Sequence, residues 1–111
     1  MPDNEQLSHL FGAYFHQDWT LDAPSWKHVV RQYLKDEGSA AGDLAADAAF
    51  TLADSALSDQ DLAAHIAKLG CYYWPGGTQA FRPWLKSLAL ELRIHSAANN
   101  SFKPNPLRGS A

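Results

Sequence analysis

Apolar residues recur along this chain of 111 residues at intervals of three and four, the spacing that lines them up on one side of an α-helix. Leu7, Leu10, Phe11, Tyr14 and Phe15 form the first such stripe. Asp3 or Asn4 can cap its start by accepting from a free backbone N–H. The stripe runs out at His16-Gln17-Asp18-Trp19, ahead of an expected turn through Thr20-Leu21-Asp22. Trp26, Val29, Val30, Tyr33 and Leu34 make the second stripe. Its expected N-cap is Asp22, with Pro24 in the first turn, where a missing N–H costs little. Gly38 is the expected left-handed C-cap.

The third stretch, residues 39 to 57, is rich in Ala and free of Pro. On a helical wheel Ala45, Ala48, Ala49, Leu52 and Ala56 lie opposite Asp43, whereas Asp47, Phe50, Asp54 and Leu57 fall within about 40° of it. Small residues along one face predict close packing against a neighbouring helix. Phe50 and Leu57, on the other face, need a separate home. Ser58-Asp59-Gln60-Asp61 opens a fourth helix in the manner of a capping box, with Asp61 in place of the usual Glu. Leu62, Ile66 and Leu69 line its buried side, and Gly70 ends it.

The connection from Cys71 to Gly77 is aromatic and then breaks: Trp74 before Pro75 is pushed to an extended conformation, and Gly76 suits a type II turn. The last helix starts near Thr78 or near Pro83, carries Phe81, Trp84, Leu85, Leu88 and Leu92, and fades between His95 and Asn99. No stretch alternates as a strand would, and no repeat is present. The pattern predicts an all-α, single-domain bundle of about five helices over residues 1–98, with 99–111 as an extended or mobile tail.

Composition narrows the function classes. Apolar residues make up 46% of the chain, including four Trp, four Tyr and five Phe, enough for a real core. A net charge of −3 argues against a basic nucleic-acid binder. The single cysteine, Cys71, excludes an intramolecular disulfide and a Cys-rich zinc module. No apolar run reaches the ~18–20 residues of a membrane span, and the acidic start is unlike a secretory signal. A soluble, cytoplasmic protein is expected, with no membrane or small-molecule partner.

Charge is unevenly placed. Residues 36–67 hold seven acids and no Lys or Arg, a local charge of −7, while the remainder carries +4. A field of this sign attracts a basic partner and speeds its association. The stripe Asp43, Asp47, Phe50 and Asp54 sets an aromatic among carboxylates, the layout of a binding anchor ringed by charge. The alternative is that Phe50 fills the core and the acids form a solvated face with some helix-dipole benefit.

Candidates for chemistry are sparse. Asp61 with His65 and Glu91 with His95 are i, i+4 pairs, and four such ligands from two helices would make a bundle metal site. Surface polar pairs are the simpler reading, because this spacing is common. His16 and Asp18 beside Trp19 read as hydrogen bonding at a helix end rather than an acid–base dyad. Cys71 lacks a basic neighbour to lower its pKa and reads as an inert packed thiol. A phosphate loop, an H-E-x-x-H motif and a nucleophile elbow are all absent, so no cofactor and no catalytic residue is expected. Tyr72, Tyr73 and Trp74 read as core packing, with interface anchoring as the alternative.

One stretch carries a family resemblance. Leu10-Phe11-Gly12-Ala13-Tyr14-Phe15-His16-Gln17-Asp18-Trp19 resembles the opening of the immunity proteins of bacterial contact-dependent growth inhibition systems, most of all from Tyr14 to Trp19. Leu69-Gly70-Cys71-Tyr72-Tyr73 and the Phe81 to Leu85 segment with Trp84 are similar to that family's second half, so the likeness spans roughly residues 7 to 92. The resemblance implies a non-enzymatic antitoxin whose partner is the C-terminal domain of a cognate toxin. Many such toxins are nucleases, whose active sites are basic to hold phosphates, and an acidic inhibitor surface fits that requirement. On this view Tyr14, Phe15, His16, Asp18 and Trp19 are structural, and Asp43, Asp47, Phe50, Asp54, Asp59 and Asp61 meet the partner. The other readings are a small metal-dependent helical enzyme built on Asp61, His65, Glu91 and His95, and an adaptor recognising basic peptides.

Overall fold

Helix α1 begins as an α-helix over Glu5–His9 and widens into a π-helical turn over Leu10–Tyr14. The computed structural model describes residues 5–102, with side chains omitted at Asp22 and at 98–102. The Phe15 N–H lies 3.1 Å from both the Leu10 and the Phe11 carbonyl, so the last turn straddles the α and π patterns. Leu7, Leu10, Phe11 and Phe15 are all fully buried along this segment. Asp3 and Asn4, the expected caps, lie outside the described residues.

Several boundaries differ from the expected ones. Trp19–Asp22 forms a helical turn of its own, α2, where a plain turn was expected. Helix α3 therefore starts later, at Trp26–Glu37, with Ser25 and not Asp22 as its N-cap. The Ser25 hydroxyl accepts from the His28 N–H, and Pro24 sits before the helix rather than inside its first turn. At Gly38 the backbone has φ +94° and ψ 167°, a combination open essentially to glycine alone. Gly38 ends α3 as expected and at positive φ, its N–H bonded to the Leu34 carbonyl, but its ψ is not that of an αL cap. It is a one-residue corner from which α4, Ser39–Ala53, starts at once.

Helix α4 ends four residues before Leu57, so Ala56 and Leu57 lie in the following loop and both are exposed. Ala45, Ala48, Ala49 and Leu52 are buried on the side the wheel assigned to them, joined by Gly42, Ala46 and Ala53. Helix α5 covers Asp59–Lys68, and the Ser58 hydroxyl accepts from the Asp61 N–H at 3.1 Å, the first half of a capping box. A 3-10 turn at Thr78–Ala80 leads into α6, Phe81–Phe102, which continues past the boundary expected at residue 98. The rest of the expected tail, 103–111, lies outside the described residues. Among the described residues the chain is all helix and loop.

Two kinds of packing hold the bundle together. The α4–α6 contact is the most extensive between any two helices, and α4 meets it with small side chains. Where α3, α4 and α6 converge, a Cβ on Gly42 would overlap Leu34 Cδ2 and stand 3.6 Å from Ser96 Oγ. At the other end of α6, Trp84 is a hub of rings. It stacks on Tyr73 with centroids 4.5 Å apart and on Phe11 at 6.0 Å. Phe15 and Trp26 meet it edge-on at 5.7 and 5.8 Å. The geometry matches the offset-stacked and T-shaped preferences of ring quadrupoles.

Candidate interaction surface

The two segments that carry the resemblance meet in space. The Phe15 carbonyl accepts from the Tyr72 N–H at 2.9 Å. Beside it, Gly70 has φ +102°, and a Cβ there would stand 3.1 Å from the Gly12 Cα. Both the backbone angle and the close approach therefore call for glycine at position 70. Phe15 is fully buried, and Trp19 packs edge-on against it at 5.6 Å. His16 Nδ1 accepts from the Asp18 N–H at 3.1 Å, closing the bend after α1.

Tyr14 leaves this ring cluster and ties α1 to α3. Its hydroxyl lies 3.0 Å from both Asp36 Oδ2 and Glu37 Oε2, and His9 Nε2 is 3.0 Å from the same Glu37 oxygen. Burial, then the two carboxylate hydrogen bonds, push the Tyr14 phenol well above its ordinary pKa. The His9 contact, then the Tyr14 hydrogen bond, hold the Glu37 carboxyl below its own. Burial raises the neighbouring Tyr33 phenol to about 12.

Asp43, Asp47, Phe50 and Asp54 follow one side of α4, ending just past its last residue. Asp47 and Asp54 are exposed, Phe50 is 36% exposed and Asp43 is half-buried. Sequence reasoning missed what borders them. Ser96, fully buried on α6, shares its single hydroxyl proton between the Ser39 carbonyl at 2.9 Å and Asp43 Oδ1 at 3.1 Å. Arg93 forms an ion pair with Asp47. Arg82 donates to the Ala53 carbonyl at 2.7 Å and the Ser55 carbonyl at 3.1 Å, capping the open end of α4. Its Nε also lies 3.6 Å from Asp59 Oδ1.

Asp59 and Asp61 stand apart from the stripe, in the first turn of α5, where they complement the positive end of the helix dipole. No ion pair among the described residues engages Asp54 or Asp61. The only hint of this lacing in the sequence was the run Arg82, Lys86, Arg93 at helical spacing on α6. The −7 segment is thus partly balanced in space by bases from elsewhere in the chain.

The other candidate chemistry does not assemble. Glu91 Oε2 meets His95 Nε2 at 2.9 Å, but no group of three or more His, Cys, Asp or Glu among the described residues is placed to hold a metal. Asp61 and His65 do not join them. Burial raises the Cys71 thiol to about 12, far from a reactive thiolate. No helix is long and apolar enough to cross a membrane among the described residues.

Comparison with known proteins adds the decisive observation: the family model described as CdiI immunity protein matches residues 3–92. The chain belongs to that family. Membership in the CdiI immunity proteins implies an inhibitory, non-enzymatic role with a cognate toxin protein as partner. The match takes in α1 through the ring hub and most of α6. No curated protein and no solved structure matched the chain.

Proposed function

We propose that this CdiI immunity protein neutralises the C-terminal domain of its cognate toxin in the cytoplasm, docking through the acidic side of α4 and the first turn of α5. The toxin domain on this reading is a nuclease with a basic, phosphate-holding active site. The observation that carries the reading is the solvent-facing line Asp47, Phe50 and Asp54, an aromatic flanked by carboxylates, with Asp61 exposed on the next helix. Charge of this sign acts mainly on encounter, raising the association rate, while the aromatic contributes to lifetime.

The test is association kinetics with a catalytically inactive toxin domain. Asp47→Asn, Asp54→Asn and Asp61→Asn are combined, and Asp43 is left intact because its carboxylate meets Ser96. Association should slow about tenfold at low salt, and the difference should shrink as salt rises. Unchanged association and full protection by the triple variant would remove the acidic surface from the account.

A further inference from the structure

The C-terminal end of α4 meets a cation on one side only. Helical carbonyls point toward that end, and the last four find no donor within the helix. Here the Phe50 carbonyl accepts from the Asp54 N–H at 3.0 Å and the Leu52 carbonyl from the Ser55 N–H at 3.2 Å. Arg82 serves the Ala53 carbonyl, together with those of Ser55 and Leu57 in the following loop. Of the four, the Thr51 carbonyl is left without a donor among the described residues. Thr51 lines a notch that it shares with Phe50, Asp54 and Ser55. The Ser55 Oγ is shut off from solvent and has no hydrogen-bond partner among the described residues. The exposed Asp54 carboxylate is in no ion pair among them. Phe50, partly exposed, supplies the apolar wall.

We infer that this notch takes the guanidinium of an arginine from the toxin domain. Its polar groups are a carboxylate, an unmet carbonyl and two hydroxyls, so it holds acceptors and no basic group. It lies at the negative end of the α4 dipole, where a cation is favoured. A ring beside a carboxylate suits a flat cation that stacks on the one and bonds the other. An ammonium would meet the charge alone, whereas the guanidinium fork carries five N–H donors for acceptors set apart along a helix end. Turning Ser55 about its Cα–Cβ bond brings its unmet hydroxyl toward such a donor. The chain itself supplies the precedent, since the Arg82 fork serves three carbonyls at this same helix end from the α6 side. The inference rests on the toxin-binding reading above for its partner and deepens it: Asp54 holds the toxin as well as attracting it.

Dissociation from the inactive toxin domain tests the notch, whereas association tests charge acting at a distance. Asp54→Asn and Asp61→Asn each remove one exposed carboxylate that no ion pair engages among the described residues, so steering alone affects the two alike. Only Asp54→Asn should also speed dissociation, about tenfold or more, and most of that effect should persist in raised salt. Phe50→Leu, which keeps an apolar side chain without the ring, should speed it about threefold to tenfold. In double-mutant cycles against single arginine and lysine variants of the toxin domain, one arginine should couple to Asp54. Wild-type dissociation rates in Asp54→Asn and Phe50→Leu, with slowed association in the acidic triple variant, overturn the notch and keep the acidic surface. Faster dissociation in those two variants, with unchanged association in the triple variant, keeps the notch and overturns steering by the acidic surface. Coupling of Asp54 to a toxin lysine and to no arginine overturns the guanidinium assignment.

Discussion

The two ends of α6 are packed by opposite means. Around Trp84, rings from α1, the α2–α3 region and the segment after α5 fill space with large side chains. Along α4, the seam is close because side chains are nearly missing: Gly42, Ala45, Ala46, Ala49 and Ala53 are buried and α6 lies against them. The first end depends on volume being present and the second on volume being absent. Large-to-small changes should therefore damage the ring hub, and small-to-large changes the seam.

Trp84→Ala gives the largest expected effect, about 3–5 kcal/mol in chemical denaturation, because it removes the ring that Phe11, Phe15, Trp26, Tyr73 and Phe81 all touch. Trp84→Phe should cost distinctly less. It keeps an aromatic in place and also removes the Trp84 Nε1 donor, which is buried with no partner among the described residues. Gly42→Ala should destabilise by about 1–3 kcal/mol through its overlap with Leu34, despite the better helix propensity of alanine. A neutral or stabilising result there would show that the seam has slack and would weaken the contrast. Arg82→Ala, which strips the carbonyls ending α4 of their donor, should cost about 1–2 kcal/mol. Arg93→Gln should cost about 0–1 kcal/mol, since its pair with Asp47 is solvent-exposed on both sides.

A last, smaller effect concerns the clasp between α1 and α3. Glu37 has its carboxyl held below its ordinary value of 4.5, chiefly by His9 and then by Tyr14. A depressed carboxyl stabilises the folded state above its unfolded pKa, and that stability is lost as pH falls through the folded value. Melting temperature measured from pH 6 down to pH 3 should therefore fall less steeply in Glu37→Gln, and the two curves should converge at the acid end.

Most of the helical framework was legible in the residue pattern, because a buried stripe at a period near 3.6 survives any arrangement of the helices. Leu62, Ile66 and the Ser58 cap were readable for this reason, as was the small face of α4. Boundaries set by competition were not. Asp22 and Ser25 both suit a cap, and the choice fell to Ser25 because Trp19–Asp22 coils into a turn of its own. The π-helical turn was not legible either; it lies where Gly70, from a segment far along the chain, comes close to Gly12.

By itself the sequence determined the helical class, the identity of the buried stripes and the concentration of acid between residues 36 and 67. Tertiary structure alone decided how much of that charge remains open. From α6, Arg93 and Ser96 reach Asp47 and Asp43 on α4 across more than forty residues of sequence, and Arg82 reaches Asp59 on α5. It also decided which member of the Tyr72-Tyr73-Trp74 run faces inward. The physical reason is common to both: helical periodicity is a property of neighbouring residues, whereas net surface charge and exposure depend on which distant groups the fold brings alongside.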